Sequence, residues 1–424
     1  MKKYFFILLL ITYNLSAQIE FEDYFENKAL RFDYLHIGNN SEETFVFDEM
    51  KLEPYFSGSF NSLIDTFYYG NHFFKVKDSQ SGKLIYSRGF SSLFQEWQST
   101  EEATKYKRAF NETIIMPFPK KQVILEILSR DKTQQNNFVV KYTHVINPID
   151  YFISEERGIK YKSEKINDAG NPNEKLDIVF IPEGYTESEL DDFRDKAREF
   201  TDYLLSFEPF KSNTDAINIW VVMAPSIDTG TDIPRDNVWK NTIVNSSFYT
   251  FDSERYLMTT DIKTLRDIAS SVPYDQIVIL VNTDKYGGGA IYNYYSLTAA
   301  NNPSSANVFV HEFGHGLAGL ADEYGNDPTY IDYYPSGVEP WEPNITTLVD
   351  FENKWKDLIS ENTPIPTPDT EDYRNVIGVF EGAGYVPNGV YRSTYDSIMR
   401  SLSEKGFNIV SQRAMEKIIN FYAH

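Results

Sequence analysis

The hydrophobic pattern of the chain changes at one polar stretch, and this change limits the fold more than any other sequence feature. Residues 163–175 are polar and contain the run Asn-Asp-Ala-Gly-Asn-Pro-Asn, which interrupts both helix and strand patterns. Short strand-like runs precede it, and buried strands alternating with helices follow it. The sequence therefore predicts two domains of different class, over residues 18–150 and 176–424, with a linker over residues 151–175.

The first predicted domain has an all-β pattern. Short alternating or apolar runs separated by turn residues cover residues 43–47, 66–76, 83–87, 112–118, 122–128 and 137–145. That spacing predicts an antiparallel β-sandwich. We expect no concentration of histidines or carboxylates resembling a site in this domain.

The second predicted domain has an α/β pattern. Residues 176–181, with the sequence LDIVFI, suit a strand buried on both faces. Thr186 and Glu189 form a capping box in front of a helical pattern. Apolar runs at residues 217–223 and 276–282 predict two further strands. Strands that alternate with helices predict an α/β layer.

An apolar run in this domain leads into His311-Glu312-Phe313-Gly314-His315. Because residues i and i+4 share one helix face, the imidazoles of His311 and His315 can aim at one point. Zinc peptidases use this pattern: two neutral imidazoles bind Zn²⁺, and a carboxylate, here Glu312, takes the proton from zinc-bound water. One catalytic zinc ion is the cofactor that this pattern predicts. The alternative is a buried helix with two hydrogen-bonded histidines.

The residues after this helix supply further carboxylates. Gly319 can end the helix in a left-handed conformation, and Asp322 and Glu323 follow where the chain has turned back. The arrangement resembles the metzincins, whose motif is HExxHxxGxxH or HExxHxxGxxD. In that resemblance the third ligand follows the glycine by three residues, which implies Asp322. One extra residue separates His315 from Gly319, so Glu323 stays open as the alternative.

A Glu ligand from a later helix is another possibility. Glu339 and Glu342 lie in a proline-rich segment, which is a poor setting for a helical ligand.

The string HEFGHGLAGLADEY at residues 311–324 resembles the bacterial secreted metallopeptidases of the IgA-peptidase family. The resemblance implies a β-sandwich followed by an α/β (α+β) metzincin-like zinc peptidase domain. It also implies a Met-turn at Met399, within a GVYR…D-x-I-M pattern. Cysteines often flank this methionine in the family. Ser397 and residues 408–411 stand here instead, so we expect packing alone to hold the loop.

Two further groups are candidates for the site. Tyr391 lies near Met399 in sequence and is a candidate to steady the oxyanion. In metzincins an edge strand ahead of the zinc helix pairs with an extended substrate. Gly288 and Gly289 would let a substrate backbone approach closely, although a flexible surface turn is an equal alternative.

Composition and the N-terminal residues bear on the compartment and the partners. Residues 1–17 combine a basic start, an apolar run and small residues, which predicts a secretory signal peptide and a periplasmic or extracellular protein. The chain has no cysteine, so disulfides and thiolate metal sites are excluded. A net charge of -22 argues against nucleic acid and anionic membranes as partners. No uninterrupted apolar stretch is long enough for a membrane span.

Together these features predict a secreted zinc endopeptidase that hydrolyses extracellular proteins, such as immunoglobulin A or other glycoproteins. One alternative is a secreted protein- or glycan-binding protein with an inactive zinc site, although Glu312 argues against it because binding needs no base. A zinc amidase acting on cell-wall peptides is the other alternative.

Overall fold

The structure is a computed structural model that describes residues 19–131, 137–155, 160–325, 334–335, 337–403 and 406–423. The predicted signal peptide, residues 1–17, lies outside the described residues.

The first part of the chain forms two four-stranded sheets. Its strands are β1 Phe25–Gly38, β2 Glu43–Glu53, β3 His72–Asp78, β4 Leu84–Phe90, β5 Arg108–Pro119, β6 Val123–Asp131, β7 Asn137–Ile146 and β8 Ile153–Glu155, and its helices are α1 Phe21–Tyr24 and α2 Leu93–Gln98. The strand orders are β5-β1-β2-β8 and β4-β3-β6-β7. Side chains from both sheets, among them Phe32 and Val76, share one hydrophobic core. The alternating pattern therefore corresponds to two sheets packed around a common core.

Strand β1 was not among the predicted strands, although it lies inside its sheet. Both faces of β1 are buried around Arg31, Asp33 and His36, which are themselves almost fully buried, so the strand shows no apolar alternation. Arg31 is paired with Asp33 at 2.9 Å and with Asp267 at 2.5 Å. His36 contacts Glu112 at 3.1 Å. Residues distant in sequence therefore form buried ion pairs in this part, and the expectation that it holds no concentration resembling a site stays a prediction.

The second part contains a six-stranded sheet of order β13-β14-β12-β10-β11-β9 and a three-stranded sheet of order β15-β17-β16. The strands are β9 Ser163–Asn167, β10 Leu176–Glu183, β11 Ile217–Val222, β12 Gln276–Val281, β13 Gly288–Ile291, β14 Tyr295–Ala299, β15 Ile345–Thr346, β16 Phe380–Ala383 and β17 Val386–Arg392. The helices are α3 Leu190–Leu204, α4 Ile262–Ala269, α5 Ser305–Ala318, α6 Ile398–Ser401 and α7 Ile409–Ala423.

The large sheet is parallel in its middle and antiparallel at both edges. The three apolar runs predicted as strands correspond to β10, β11 and β12. Edge strand β9 lies inside the predicted linker, because these polar residues pair along one side with β11. The domain boundaries themselves stay a prediction.

Helices cover both faces of this sheet. Ile178 and Phe180 of β10 pack in one core with α3, α5 and α7, whereas Val179 and Ile181 pack in another with α4 and with α2 of the first part. This alternation follows from the two-residue period of a strand. The fold is thus rich in sheet with helical layers, and the first part packs against the second.

Helix α5 carries the His311–His315 motif and ends as the sequence predicts. Gly319 follows its last residue with φ of 59°, and the Gly319 N–H bonds to the carbonyls of Gly314 and His315. This left-handed turn sends the chain back along the helix towards Asp322. Within the described residues, no helix combines the length and apolar character that crossing a membrane requires.

Candidate active site

Three side-chain atoms from α5 and the turn after it face one point. The His311 Nε2 and His315 Nε2 atoms lie 3.1 Å apart. The Asp322 Oδ1 atom lies 3.2 Å from His311 Nε2 and 3.5 Å from His315 Nε2. Ligand atoms around a tetrahedral zinc ion, with bonds of about 2.0–2.2 Å, stand about 3.3–3.6 Å apart. The triangle therefore has dimensions suited to three ligands of one ion.

The hydrogen bonds of the two imidazoles fix which nitrogen faces this point. His311 Nδ1 lies 3.0 Å from the Ile398 carbonyl, and His315 Nδ1 lies 2.5 Å from the Leu320 carbonyl. Because a carbonyl oxygen only accepts, each Nδ1 donates and a neutral ring presents the lone pair of Nε2.

Asp322 Oδ1 is buried and has no hydrogen-bond partner among the described residues. A metal ion between these atoms would satisfy both lone pairs and the carboxylate oxygen at once. The residues present therefore fit a metal ion.

The two carboxylates that the sequence leaves open as the third ligand have different surroundings in the structure. The Tyr324 hydroxyl donates to Asp322 Oδ2 at 3.1 Å, which leaves Oδ1 for the histidines. Glu323 instead accepts hydrogen bonds from Ser397 Oγ at 2.6 Å and from Asn344 Nδ2 and Asn408 Nδ2 at 3.0 and 2.8 Å. The geometry thus favours Asp322 as the ligand.

Glu323 also holds the loop that carries Met399. Its backbone N–H donates to the Met399 carbonyl at 2.9 Å. Met399 is fully buried, and its sulfur packs against α5 at Gly314. The expectation that packing alone holds this loop was wrong. Ser397 and Asn408, which stand where the family often has cysteines, tie the loop to Glu323 by hydrogen bonds.

Charges around the triangle shift its pKa values. Burial by itself lowers the pKa of His315, but the Asp322 carboxylate raises it to about 9. Burial acts to raise the pKa of Asp322, yet His315 and His311 hold it well below its usual range. A proton on His315 therefore competes with a metal ion for the same lone pair.

Glu312 lies beside the two histidines. Its carboxylate offers an oxygen within 4.8 Å of ring nitrogens of both. Burial raises the pKa of Glu312, against the opposing effect of His311 and His315. A raised carboxyl pKa brings a general base closer to the pH at which it works.

The triangle opens into a cavity of about 510 Å³, a volume typical of ligand sites. Side chains that the sequence analysis did not identify also line it, namely Glu96, Arg255, Tyr286, Tyr324, Trp341 and Tyr385. They come from separate segments without a common motif, so no local signal pointed to them. Glu96, which belongs to the first part, accepts a hydrogen bond from Tyr256, and burial raises its pKa to about 7.

Gly288 and Gly289 line this cavity, but close packing of the protein on itself explains them. A Cβ on Gly288 would lie 2.9 Å from Val308 and 3.2 Å from Glu312, and one on Gly289 would lie 2.2 Å from Met258. The Gly288 N–H and carbonyl are paired with the Arg255 carbonyl and the Leu257 N–H, both at 3.2 Å. Neither glycine therefore lies in a flexible surface turn.

Tyr391 is the candidate that the structure does not bring to the site. It lies on β17 opposite Glu381 and Thr346, and its ring packs against a small separate core. Among the described residues that line the active-site cavity, Tyr391 is absent. Proximity to Met399 in sequence was misleading, because the hairpin of β16 and β17 turns this side chain away.

A sheet-rich protein of two parts, with a His-Glu-His group and a further carboxylate at the base of a cavity, has the layout of a hydrolytic enzyme. The family model described as IgA Peptidase M64 matches residues 165–376 and 369–419, which is more than half of the chain. The chain therefore belongs to the IgA peptidase M64 family.

A second family model, described as Peptidase M64 N-terminus, matches residues 20–141. No curated protein matches the sequence. The family predicted from HEFGHGLAGLADEY is thus confirmed, and with it a peptidase of two-domain architecture that acts on protein substrates.

Proposed function

We propose that the protein is a secreted zinc-dependent endopeptidase with His311, His315 and Asp322 as metal ligands and Glu312 as general base. The observation that carries the proposal is the triangle of donor atoms at 3.1, 3.2 and 3.5 Å around a buried, unpartnered Asp322 Oδ1. The helix, the left-handed Gly319 turn and the buried methionine beneath the helix support a metzincin-like centre.

A zinc ion bound here would lower the pKa of a water molecule towards about 7 and polarise a peptide carbonyl. Glu312 accepts the proton of the attacking water and passes it to the leaving amine. The Ile398 and Leu320 carbonyls orient the two imidazoles, and Tyr324 orients the Asp322 carboxylate.

The edge strand β13 supplies a place for the substrate backbone. The Ala299 N–H donates to the Gly287 carbonyl at 3.0 Å, so residues 287, 289 and 291 face β14 and residues 288 and 290 face outward. Because Gly288 is already paired, Ala290 is the remaining outward position of this strand, and it lines the cavity. An extended peptide would pair with β13 at Ala290.

Immunoglobulin A and other extracellular glycoproteins are the first substrates to test, because the family description names IgA. Export through the predicted signal peptide belongs to the same proposal. N-terminal sequencing of the exported protein should give a chain that begins after Ala17, and an exported chain that retains residues 1–17 would contradict it.

The test of function is proteolysis of casein and immunoglobulin A by wild type, Glu312→Gln and a control, Glu416→Gln. Glu416 is an exposed carboxylate on α7, so its loss should leave the rate unchanged. Loss of the base should lower kcat by about 10²–10⁴-fold with zinc retained. Equal rates for wild type and Glu312→Gln would refute the role of Glu312.

A further inference from the structure

A second cavity of about 780 Å³ adjoins the active-site cavity. The two share the lining residues Asn71, Ser99, Tyr334, Trp341 and Glu342. The two cavities are therefore neighbours that share one wall. The second cavity extends from this wall along residues of the first part.

The wall of the second cavity is polar. Side chains of the first part that line it are uncharged, such as Asn40, Thr44, Gln95, Gln98 and Ser129, or charged with either sign, namely Glu42, Glu43, Arg130, Asp131 and Lys141. Amide and hydroxyl groups both donate and accept hydrogen bonds, as the N–H and C=O groups of an extended peptide require. This lining suits a polypeptide better than an apolar ligand.

Glu342 lies in the wall that the two cavities share, and one of its carboxylate oxygens has no hydrogen-bond partner among the described residues. Only 6% of it is exposed. Its Oε1 accepts a hydrogen bond from the Tyr334 hydroxyl at 2.9 Å, whereas Oε2 is buried without a hydrogen-bond partner among the described residues. Buried acceptors are almost always satisfied, so this oxygen marks a position for a donor of a ligand.

Trp341 holds the wall shared by the two cavities at a defined position relative to helix α5. Its Nε1 donates to Asn71 Oδ1 of the first part at 3.2 Å. Its ring lies against Gly319, the residue that ends α5, where an added Cβ would come within 2.4 Å of the ring. The first part is thereby held at a defined place beside the active site.

We propose that the second cavity is the distal half of the substrate cleft and binds an extended polypeptide several residues away from the scissile bond. The first part of the chain would then be a substrate-binding element, and the enzyme would prefer long, unfolded polypeptides to short peptides. This inference rests on the proposed peptidase function and adds the substrate class.

A matched pair of substitutions tests it. Thr44 and Val46 are both exposed, and they lie two residues apart on β2, so their side chains share one face. Thr44 lines the second cavity, and Val46 lines neither cavity. Tryptophan is favourable in strands, so Thr44→Trp places a bulky ring in the cavity, whereas Val46→Trp controls for the new surface aromatic.

Two measurements keep this inference separable from the proposed function. The first compares kcat/KM for a casein-derived peptide of about six residues with the same peptide lengthened on either side by about eight residues, roughly 27 Å of extended chain. We expect wild type and Val46→Trp to prefer one long peptide at least tenfold, and Thr44→Trp to lose this preference. A long-to-short ratio that is equal in all three proteins would overturn the inference while leaving the peptidase intact.

The second measurement needs no cleavage. Binding of unfolded casein is measured with the Glu312→Gln protein alone and combined with Thr44→Trp or Val46→Trp. We expect only Thr44→Trp to weaken casein binding, by about tenfold. Equal affinities in all three proteins, including no measurable affinity in any, would overturn the inference. Failure of the peptidase proposal would instead appear as absent cleavage by wild type.

Discussion

Replacing Glu323 tests whether its carboxylate stabilises the fold or binds the metal ion. Glu323 accepts three side-chain hydrogen bonds, from Ser397, Asn344 and Asn408, at a position with no solvent exposure. Glu323→Ala leaves those three buried donors unpaired, and each costs about 1–3 kcal/mol. Because the donors can partly relax, we expect the free energy of unfolding to fall by about 3–5 kcal/mol.

The matched variants are Glu323→Gln and Asp322→Ala. Glutamine keeps an oxygen for the two asparagine amides, so its cost should be about 1 kcal/mol. Asp322 accepts a hydrogen bond from Tyr324 and faces the histidines. Its loss should therefore abolish metal binding without destabilising the loop that carries Met399.

The assay is urea denaturation of the metal-free proteins, followed by zinc content after reloading. We expect Glu323→Ala to be strongly destabilised and Asp322→Ala to retain a folded protein that does not hold zinc. A Glu323→Ala protein of wild-type stability that has lost zinc would contradict the structural role of Glu323 and identify it as the metal ligand.

Three further predictions concern the pH dependence of metal binding, the turn at Gly319, and the ion pairs of Arg31 between the two parts of the chain. Because the pKa of His315 without metal is about 9, His315 must lose a proton before zinc binds. The apparent zinc affinity should therefore rise with pH until about pH 9. Titrations with a zinc-buffered dye that show no such rise would contradict this. Gly319→Ala should lower the free energy of unfolding by about 1–2 kcal/mol, because alanine is disfavoured in the left-handed conformation of this residue. Contact of the new Cβ with Trp341 should lower it further. An unchanged urea midpoint would contradict this role of the turn. Arg31→Met leaves the buried Asp33 carboxylate without its ion-pair partner, whereas Asp267 keeps Lys51, and the loss should cost about 3–5 kcal/mol. The exposed Lys28→Met should cost almost nothing in the same denaturation series.

Local patterns predicted the parts of the fold that local physics controls. The run LDIVFI at residues 176–181 became the centrally placed β10, which is buried on both faces. Spacing alone brought His311 and His315 together on α5, and Gly319 ends that helix with a positive φ. These features depend on the period of a strand or helix and on the freedom of glycine, which neighbouring residues reveal.

Long-range contacts decided the features that the sequence did not reveal. β1 was missed because Arg31 occupies a buried position, where the distant carboxylates of Glu53 and Asp267 pair with it in addition to the nearby Asp33. The choice between Asp322 and Glu323 depends on Asn344 and Asn408, which lie 21 and 85 residues from Glu323. Glu96 reaches the cavity only because the first part packs beside the site.

We propose that His311, His315 and Asp322 hold a zinc ion that peptide hydrolysis requires. The most direct measurement is the zinc content of wild type and of His315→Ala by mass spectrometry, with casein cleavage followed before and after removal and return of zinc. We expect one zinc per wild-type chain, little zinc in the variant, and cleavage that disappears and returns with the metal. A metal-replete wild type without zinc, or cleavage that survives zinc removal, would contradict it.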